Sequence, residues 1–526
     1  MPPRARLPSL SLAWVASVAL LFAGAGALLL STGFEASRSV SLLGPDLPVN
    51  ESATDATDLT AHNSPTVARS PTDPSIVAIA NRIDLPRFSC ALHVSDDGGA
   101  SWRELRIPTP SAKRAPCYAP DVVFDAAGTL YVSFVTLEGP GNVPAAAWIT
   151  SSKDGGATLT RPIKTLGPLS FQVRLAADPA VPGRLYLSWL AGRAVELFRF
   201  PETGNPVRFA SSGDGGRSWS DPVQVSSASR KRVVAPSLVA GSEGELYALF
   251  LDLGQDRLDY HGLHEGQGGP PSRDPWQLVL ARSDDRGETW TESVIEDRLV
   301  PTERFIVFIP PFPSLAIDRR DGRLFVAFQD GGSGDADVLL WSSVDGGESW
   351  TSPTQINDNP QGDGTDQYRP RLAVAPNGRL DVLYYDRRND PRNLLNEVSL
   401  QSSYDQGATF TPPVALSDRQ FDSRVGFGSE REMPDLGNRL GLLADDGHAL
   451  AVWADTRAGT EASGKQDLAR AVVAFQSEDG LSGTARNALR VAGIIAVLAG
   501  LVFGAVLFKR GRRASPSPGS HQSPAM

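Results

Sequence analysis

The chain has 526 residues, a formal net charge of −10 and 41% hydrophobic residues. The stretch between its two long apolar segments carries 44 basic against 60 acidic residues, a net of −16, which argues against nucleic acid or an anionic membrane surface as the main partner. No P-loop, dinucleotide fingerprint or Gly-x-Ser-x-Gly stretch occurs, so no cofactor is expected.

In chain order, Leu10 to Leu30 is an almost uninterrupted apolar run behind Arg4 and Arg6. It reads as a signal peptide or a retained membrane anchor. Its length favours the anchor, while Ala23-Gly24-Ala25 would suit cleavage. Residues 1–36 are assigned to this segment.

From residue 37 to 480 the chain repeats itself. The stretch SDDGGASW at Ser95 returns as SKDGGATL at Ser152, SGDGGRSW at Ser212, SDDRGETW at Ser283, SVDGGESW at Ser343 and SYDQGATF at Ser403, at spacings of 57, 60, 71, 60 and 60 residues. A fixed period of this size marks a repeat architecture. Each copy lies between two short apolar or extended runs and reads as a hairpin turn. Asp97, Asp154, Asp214, Asp285, Asp345 and Asp405 accept hydrogen bonds from nearby backbone N–H groups. The following glycine takes positive φ, and the aromatic residue covers the turn. The same acid in the same turn six times is a structural device, so these aspartates are read as structural.

Before each turn stands a strand, a tight turn and a second strand, as in DVVFDAAGTLYVSFV, SLAIDRRDGRLFVAFQ and RLAVAPNGRLDVLYY. Counting RLGLLADDGHALAVWAD after the last turn, there are seven such pairs. Each unit therefore supplies four strands, A to D. A lone four-stranded sheet cannot cover both faces, and stacking sheets around an axis can. The fold class expected is all-β: a seven-bladed β-propeller flanked by two membrane-spanning or signal helices. The seventh unit lacks its outermost strand, which SRSVSLLGPD near the N-terminus could supply. The two cysteines, Cys90 and Cys117, are expected to form a disulfide between the first and second blades.

The C-terminal part, residues 481–513, contains VAGIIAVLAGLVFGAVLF at Val491 to Phe508, followed by Lys509, Arg510, Arg512 and Arg513. This is a membrane span with a basic stop-transfer end, which places the propeller outside the cytoplasm. Gly500 and Gly504 have the spacing of a helix-pairing motif, although glycine is common in such helices. Residues 514–526 read as a disordered cytoplasmic tail.

The repeated Ser-x-Asp-x-Gly-x-Ser/Thr-aromatic turn resembles the Asp-box, or BNR repeat, of the sialidase-like propeller superfamily. The resemblance implies that ligand binds on the face opposite these turns, where D–A and B–C loops converge. It also implies an arginine triad gripping a carboxylate, a Tyr–Glu nucleophile pair and an acid/base Asp. The family's first arginine stands in a Phe/Tyr-Arg-Ile-Pro stretch before the first turn. Here Leu105-Arg106-Ile107-Pro108 follows it, and seven blades are counted where sialidases have six.

On the implied ligand face, strand B ends in an aromatic-x-Asp pattern at Asp252, Asp330, Asp386 and Asp455, with Arg387, Arg388 and Arg457 following. Arg174, Arg232, Arg304, Arg369, Arg371 and Arg439 stand where strand A begins. These residues suit either a charged rim gripping an anionic or polyhydroxyl ligand, or a ring of inter-blade ion pairs. Tyr368, Arg369, Arg371 and Glu430 fall outside the repeat. Tyr368 and Glu430 are the catalytic candidates. Arg369, Arg371, Arg439, Asp386, Arg388, Asp455 and Arg457 are the ligand-binding candidates. No metal site is expected: His261 and His264 sit in a Gly-rich loop. The expected role is recognition of a glycan or cell-surface protein by a membrane-integral propeller. The alternatives are an exo-α-sialidase-type glycoside hydrolase and a scaffold for a membrane complex.

Overall fold

The computed structural model describes residues 12–33, 38–50, 59–110, 115–139, 142–193, 204–256, 275–302, 312–427, 435–460, 462–477 and 483–513. The chain divides into two compact units, Ser41–Ala474 and the two terminal segments Met1–Val40 and Phe475–Met526.

The larger unit is a seven-bladed β-propeller, with antiparallel strands in the order A-B-C-D in each blade. Blade 1 comprises His62–Arg69, Val77–Ile83, Ser89–Ser95 and Arg103–Arg106. Blade 2 comprises Cys117–Phe124, Leu130–Glu138, Val143–Ser152 and Ile163–Leu166. Blade 3 comprises Ser170–Ala177, Leu185–Ala191, Val207–Ser212 and Val223–Gln224. Blade 4 comprises Val233–Ala240, Leu246–Asp252, Trp276–Ser283 and Thr291–Leu299. Blade 5 comprises Ser314–Ile317, Leu324–Asp330, Asp337–Ser343 and Thr354–Gln355. Blade 6 comprises Gln367–Val374, Leu380–Asp386, Leu395–Ser403 and Val414–Ala415. Blade 7 comprises Gly441–Ala444, His448–Asp455 and Asp467–Ser477, and takes Arg38–Leu42 as its outermost strand. The first and last strands of the propeller thus share one sheet. Leu43 N–H donates to the Val472 carbonyl at 2.8 Å, and the Asn50 side chain bonds both Asp467 Oδ1 and the Leu468 N–H.

Strand A of each blade touches strand A of the next, all the way round, so the ring has no open edge. Strand B is apolar without alternation because neighbouring blades cover both of its faces. LYALFLD in blade 4 and LFVAF in blade 5 are buried throughout. The core accordingly lies between blades: Tyr186 and Phe209 of blade 3, Phe250 and Leu280 of blade 4, and Phe328 and Trp341 of blade 5 belong to one cluster.

The six repeat turns join strands C and D with one hydrogen-bond plan. In the fourth, Ser283 Oγ donates to Asp285 Oδ1 (2.7 Å) and accepts from Gly287 N–H (2.8 Å). Thr289 gives its N–H to Oδ1 (2.9 Å) and its hydroxyl to Oδ2 (2.5 Å) of Asp285. The same bonds recur around Asp97, Asp154, Asp214, Asp345 and Asp405. The glycine two residues after the Asp of each turn has positive φ and presses on the preceding blade. A Cβ at Gly156, Gly216, Gly287, Gly347 or Gly407 would meet Val94, Ile149, Phe209, Leu280 or Leu340 within 3.0 Å. The turns therefore clamp neighbouring blades as well as reversing the chain. Cys90 and Cys117, the first residue of blade 2, form a disulfide with a Cα–Cα distance of 5.5 Å, joining blades 1 and 2.

In the second unit, helix α1 spans Leu12–Gly33 and helix α2 spans Gly483–Arg513. Within α2, Asn487–Lys509 is long and apolar enough to cross a membrane.

Candidate functional site

The site begins with a repeated irregularity in strand A. The register shifts between Asn63 and Thr66, Tyr118 and Asp121, Phe171 and Arg174, Val234 and Ser237, and Tyr368 and Arg371. At each bulge one residue takes positive φ: Ser64, Ala119, Gln172, Ala235 and Arg369. Proline follows four of them, Pro65, Pro120, Pro236 and Pro370, at a place where the ladder needs no donor. Gly437, φ 82°, holds the matching position before strand A of blade 7. A bulge re-aims the side chains next to it. Here it governs Asp121, Arg174 and Arg371, with Arg439 at the equivalent place in blade 7.

These side chains meet although their blades are far apart in the ring, which only the axis permits. Arg174 Nη1 of blade 3 lies 3.3 Å from Asp121 Oδ2 of blade 2. The guanidinium carbons of Arg174 and Arg439 lie 5.6 and 5.8 Å from the centroid of the Phe312 ring, which precedes blade 5. Arg439 Nη2 donates to the carbonyls of Ser64 (3.4 Å) and Pro120 (3.2 Å). Arg371 of blade 6 is close enough to Arg174 and Asp121 to feel both charges. Burial, reinforced by the Arg174 cation, pulls Arg371 down to about 10. Arg174 pairs with Asp121 and Arg371 feels that carboxylate, while Arg439 stands beside them across Phe312; Asp121 is itself engaged by the N–H groups of Val122 and Leu175. Buried nitrogens at Arg174 (Nε), Arg371 (Nε), Arg439 (Nε) and Arg369 (Nη1) have no hydrogen-bond partner. Such atoms are costly to leave unpaired.

Beside this channel lies a small cavity bordered by Arg82, Tyr118, Gln172, Phe312, Asn438 and Arg439. Arg82 Nη2 donates to Asp84 Oδ2 (2.7 Å) and Asp435 Oδ2 (3.0 Å), and Nη1 donates to the Tyr118 hydroxyl (3.1 Å). Burial pushes the Tyr118 phenol up, so it stays neutral. Asp435 reaches across to blade 6, with Oδ1 at 3.9 Å from Arg369 Nη2.

The sequence-derived candidates separate into two groups. Arg371 and Arg439 meet Arg174 at the axis, and Arg369 stands beside them through Asp435. Tyr368 is buried, donates its hydroxyl to Asn396 Oδ1 (2.6 Å), and has Arg387 over its ring at 5.2 Å. The strand B aspartates are engaged elsewhere. Asp252, Asp330, Asp386 and Asp455 each accept the backbone N–H two residues on, from Gly254, Gly332, Arg388 and Arg457, at 3.1, 2.8, 3.0 and 2.7 Å. Arg388 pairs with Asp386 (2.6 Å) and with Asp358 (2.5 Å), which follows blade 5. Arg457 pairs with Asp455 (2.6 Å), with Asp46 (2.6 Å) and with Asp418, which follows blade 6. These contacts tie one blade to the next. Arg232 Nη1 donates to the Gly254 carbonyl (2.9 Å). Glu430, Arg304, the loop with His261 and His264, and the C-terminal tail lie outside the described residues.

Asp121, Phe312, Tyr118, Arg82 and Asp435 were not among the sequence candidates. The repeated x-Pro pair at the start of strand A was the available signal. It marks the bulge, and in blades 2 and 6 the residue after the proline, Asp121 or Arg371, belongs to the axial group.

No protein-family model matches the chain, and no curated protein is similar to it in sequence. Solved structures similar to it include a protein of unknown function from Dyadobacter fermentans, at 14% identity and a TM-score of 0.44, covering 83% of this chain and 99% of that one. The Hadza microbial sialidase Hz136 is similar at 13% identity and a TM-score of 0.43, covering 76% and 73%. The phage phi92 endosialidase is similar at 9% identity and a TM-score of 0.45, covering 85% and 70%. At these scores the likenesses carry no argument about chemistry, and the seven-bladed ring rests on the strand order itself.

Proposed function

We propose that this chain is a membrane-anchored propeller of the sialidase-like, Asp-box kind, held outside the cytoplasm, that recognises an anionic ligand at the cell surface. Carboxylate- or sulfate-bearing glycans are the ligand class that best suits the site. The carrying observation is the axial group of Arg174, Arg371 and Arg439, which has buried guanidinium nitrogens without hydrogen-bond partners and, among the described residues, one ion pair, Arg174 with Asp121. A planar guanidinium offers paired N–H donors that match a carboxylate or sulfate. Phe312 between two of them supplies an apolar surface for a sugar ring. The apolar helix α2 with its basic end supports the anchor and its orientation. The Cys90–Cys117 disulfide fits an oxidising compartment. Hydrolysis has less behind it: Tyr368 donates to an amide, and Tyr118 accepts from Arg82.

Binding of the full-length, detergent-solubilised chain to glycans ending in uronic acid, sialic acid or sulfate, against neutral counterparts, tests the reading. The anionic glycans should bind at least about tenfold more tightly, which is about 1.4 kcal/mol. Arg174→Met should abolish that preference, while Arg457→Met, in a blade-to-blade ion pair, should keep it. Equal binding of neutral and anionic glycans, or full binding by Arg174→Met, overturns the proposal.

A further inference from the structure

The two helices of the terminal unit pack on each other through their smallest residues. A Cβ at Gly24 of α1 would lie 2.8 Å from the Gly493 carbonyl oxygen of α2, and one at Gly493 would lie 3.0 Å from the Gly24 carbonyl oxygen. One at Gly500 would lie 3.2 Å from the Ser17 carbonyl oxygen, and one at Gly504 would lie 3.1 Å from Ser17 Oγ. Position 17 therefore faces 500 while 24 faces 493, so the helices are antiparallel. The backbones approach closely only because these positions carry no side chain. Ser17, which is 2% exposed, donates its hydroxyl to the Gly500 carbonyl at 2.8 Å. That bond satisfies a polar atom inside the apolar segment, as a hydrocarbon surrounding requires.

The outer faces are the reverse of a soluble hairpin. Val15, Val18 and Phe22 of α1 and Val491, Ile494, Ile495, Leu498 and Val502 of α2 are exposed. Large apolar side chains point outward and small residues point inward, which suits lipid around a helix pair. The antiparallel arrangement also puts the N-terminal end of α1, which Arg4 and Arg6 precede in sequence, on the same side as the end of α2 that carries Lys509, Arg510, Arg512 and Arg513. Basic residues at one end of both helices are what a cytoplasmic side carries. Ala23-Gly24-Ala25, the stretch small enough to suit a signal protease, is helical here, and Gly24 lies against Gly493.

We infer that α1 is retained in the mature protein as a second membrane span, and that the glycine face of α2 is its docking surface. Both termini then lie in the cytoplasm and the propeller is tethered at both of its ends. The inference rests on reading α2 as a membrane span.

The test uses the full chain with different tags at its two ends. After alkaline extraction, the membrane-bound species should carry both tags on one polypeptide of full length. In Ser17→Cys with Gly504→Cys, mild oxidation in the membrane should join the two positions, since the two sites already stand within disulfide reach. Val18→Cys with Gly504→Cys, on the exposed face, should crosslink at least fivefold less. A membrane-bound species that keeps the C-terminal tag but has lost the N-terminal one overturns the inference and leaves the anchor reading intact. So does equal crosslinking at positions 17 and 18. Release of both tags into the soluble fraction overturns the anchor reading and this inference together.

Discussion

At the six C–D turns every carboxylate has hydroxyl and backbone donors of its own, whereas at the axis Arg174, Arg371 and Arg439 come together with Arg174 alone paired to Asp121 and with guanidinium nitrogens left over. The turn acids are solvent-exposed, yet they are saturated with hydrogen bonds. Among the described residues, Asp121 is the one carboxylate that pairs with an axial cation, and those cations are buried or half-buried. The first arrangement costs little and repeats wherever a blade must be clamped. The second costs stability and occurs once. A chain that needed only to close its ring would fill the axis with apolar or paired side chains, because a buried cation without a partner is expensive. The contrast therefore separates what builds the wheel from the group proposed to take the ligand.

The sharpest way to break the first half of the comparison is to add one carbon to a turn. At Gly287, φ is +96°, and a Cβ would lie 2.0, 2.5 and 2.7 Å from three ring atoms of Phe209, which is packed between Tyr186 and Trp290. Overpacking of about 1–3 kcal/mol adds to about 1–2 kcal/mol for left-handed backbone, so Gly287→Ala should lose about 3 kcal/mol in denaturant unfolding. Gly98, φ +76°, has open space around its missing Cβ, so Gly98→Ala should lose only the backbone part, about 1 kcal/mol. Equal losses would mean that the turns do not clamp the blades.

The second half breaks in the opposite direction. Arg371 is held at about 10, below its ordinary value of 12.5, mainly by burial. A cation whose folded value is depressed lowers stability at neutral pH, and the cost is relieved only as pH rises from about 10 through 12.5. Arg371→Met should therefore raise stability at pH 7 by about 1–3 kcal/mol, seen as a higher Tm, while losing anionic-glycan binding. In the native chain, by contrast, a bound anion should raise Tm by an amount that grows with the logarithm of its concentration above its Kd. A variant that is less stable and still binds would place the ligand elsewhere.

How much of this was legible depends on the distance between partners along the chain. The turns could be read because Ser, Asp, Gly and Thr act on each other within a few residues, so the pattern and its mechanism lie in one short string. Ring closure could be read because strand D of the seventh unit is missing at one end and SRSVS stands at the other. The axial site could be read only in part. Arg369 and Arg371 stood out because they stand where a strand begins and fall outside the repeat, and Arg439 because it is one of the arginines at a strand A entry. Asp121 and Phe312 were hidden inside apolar runs, and Arg82 meets Asp435 across 353 residues. Their convergence depends on a bulge, which moves side chains by register and leaves only the recurring proline in the sequence. Asp386 and Asp455 show the reverse error source. Their motif is conspicuous because it repeats, and what repeats here is a turn cap with a blade-to-blade ion pair.

The smallest effect expected, and the one that joins both halves, is in acid. Thr289, through its hydroxyl and its backbone N–H, holds Asp285 at about 2, and Ser218 does the same for Asp214. Asp97, Asp154 and Asp345 are held lower still. A carboxyl with a depressed folded value contributes stability above its ordinary value of 3.8, and that contribution disappears as pH falls from about 4 to 2. Burial pushes Asp330 and Asp381 the other way, so part of the loss is offset as these groups take up protons. The turns predominate by number, so stability should fall between pH 4 and 2. Asp285→Asn keeps the shape of the turn and removes one titrating charge. Denaturant unfolding followed from pH 7 to pH 2 should show this variant slightly less stable at pH 7, by little because exposure to solvent weakens the turn's electrostatic share, and falling less steeply, so that its curve converges on the native one near pH 2. Arg371→Met should give a curve parallel to the native one and displaced upward, because its cation does not titrate in that range. A parallel curve for Asp285→Asn, or a converging one for Arg371→Met, would show that the two regions do not divide the charge chemistry as their geometry indicates.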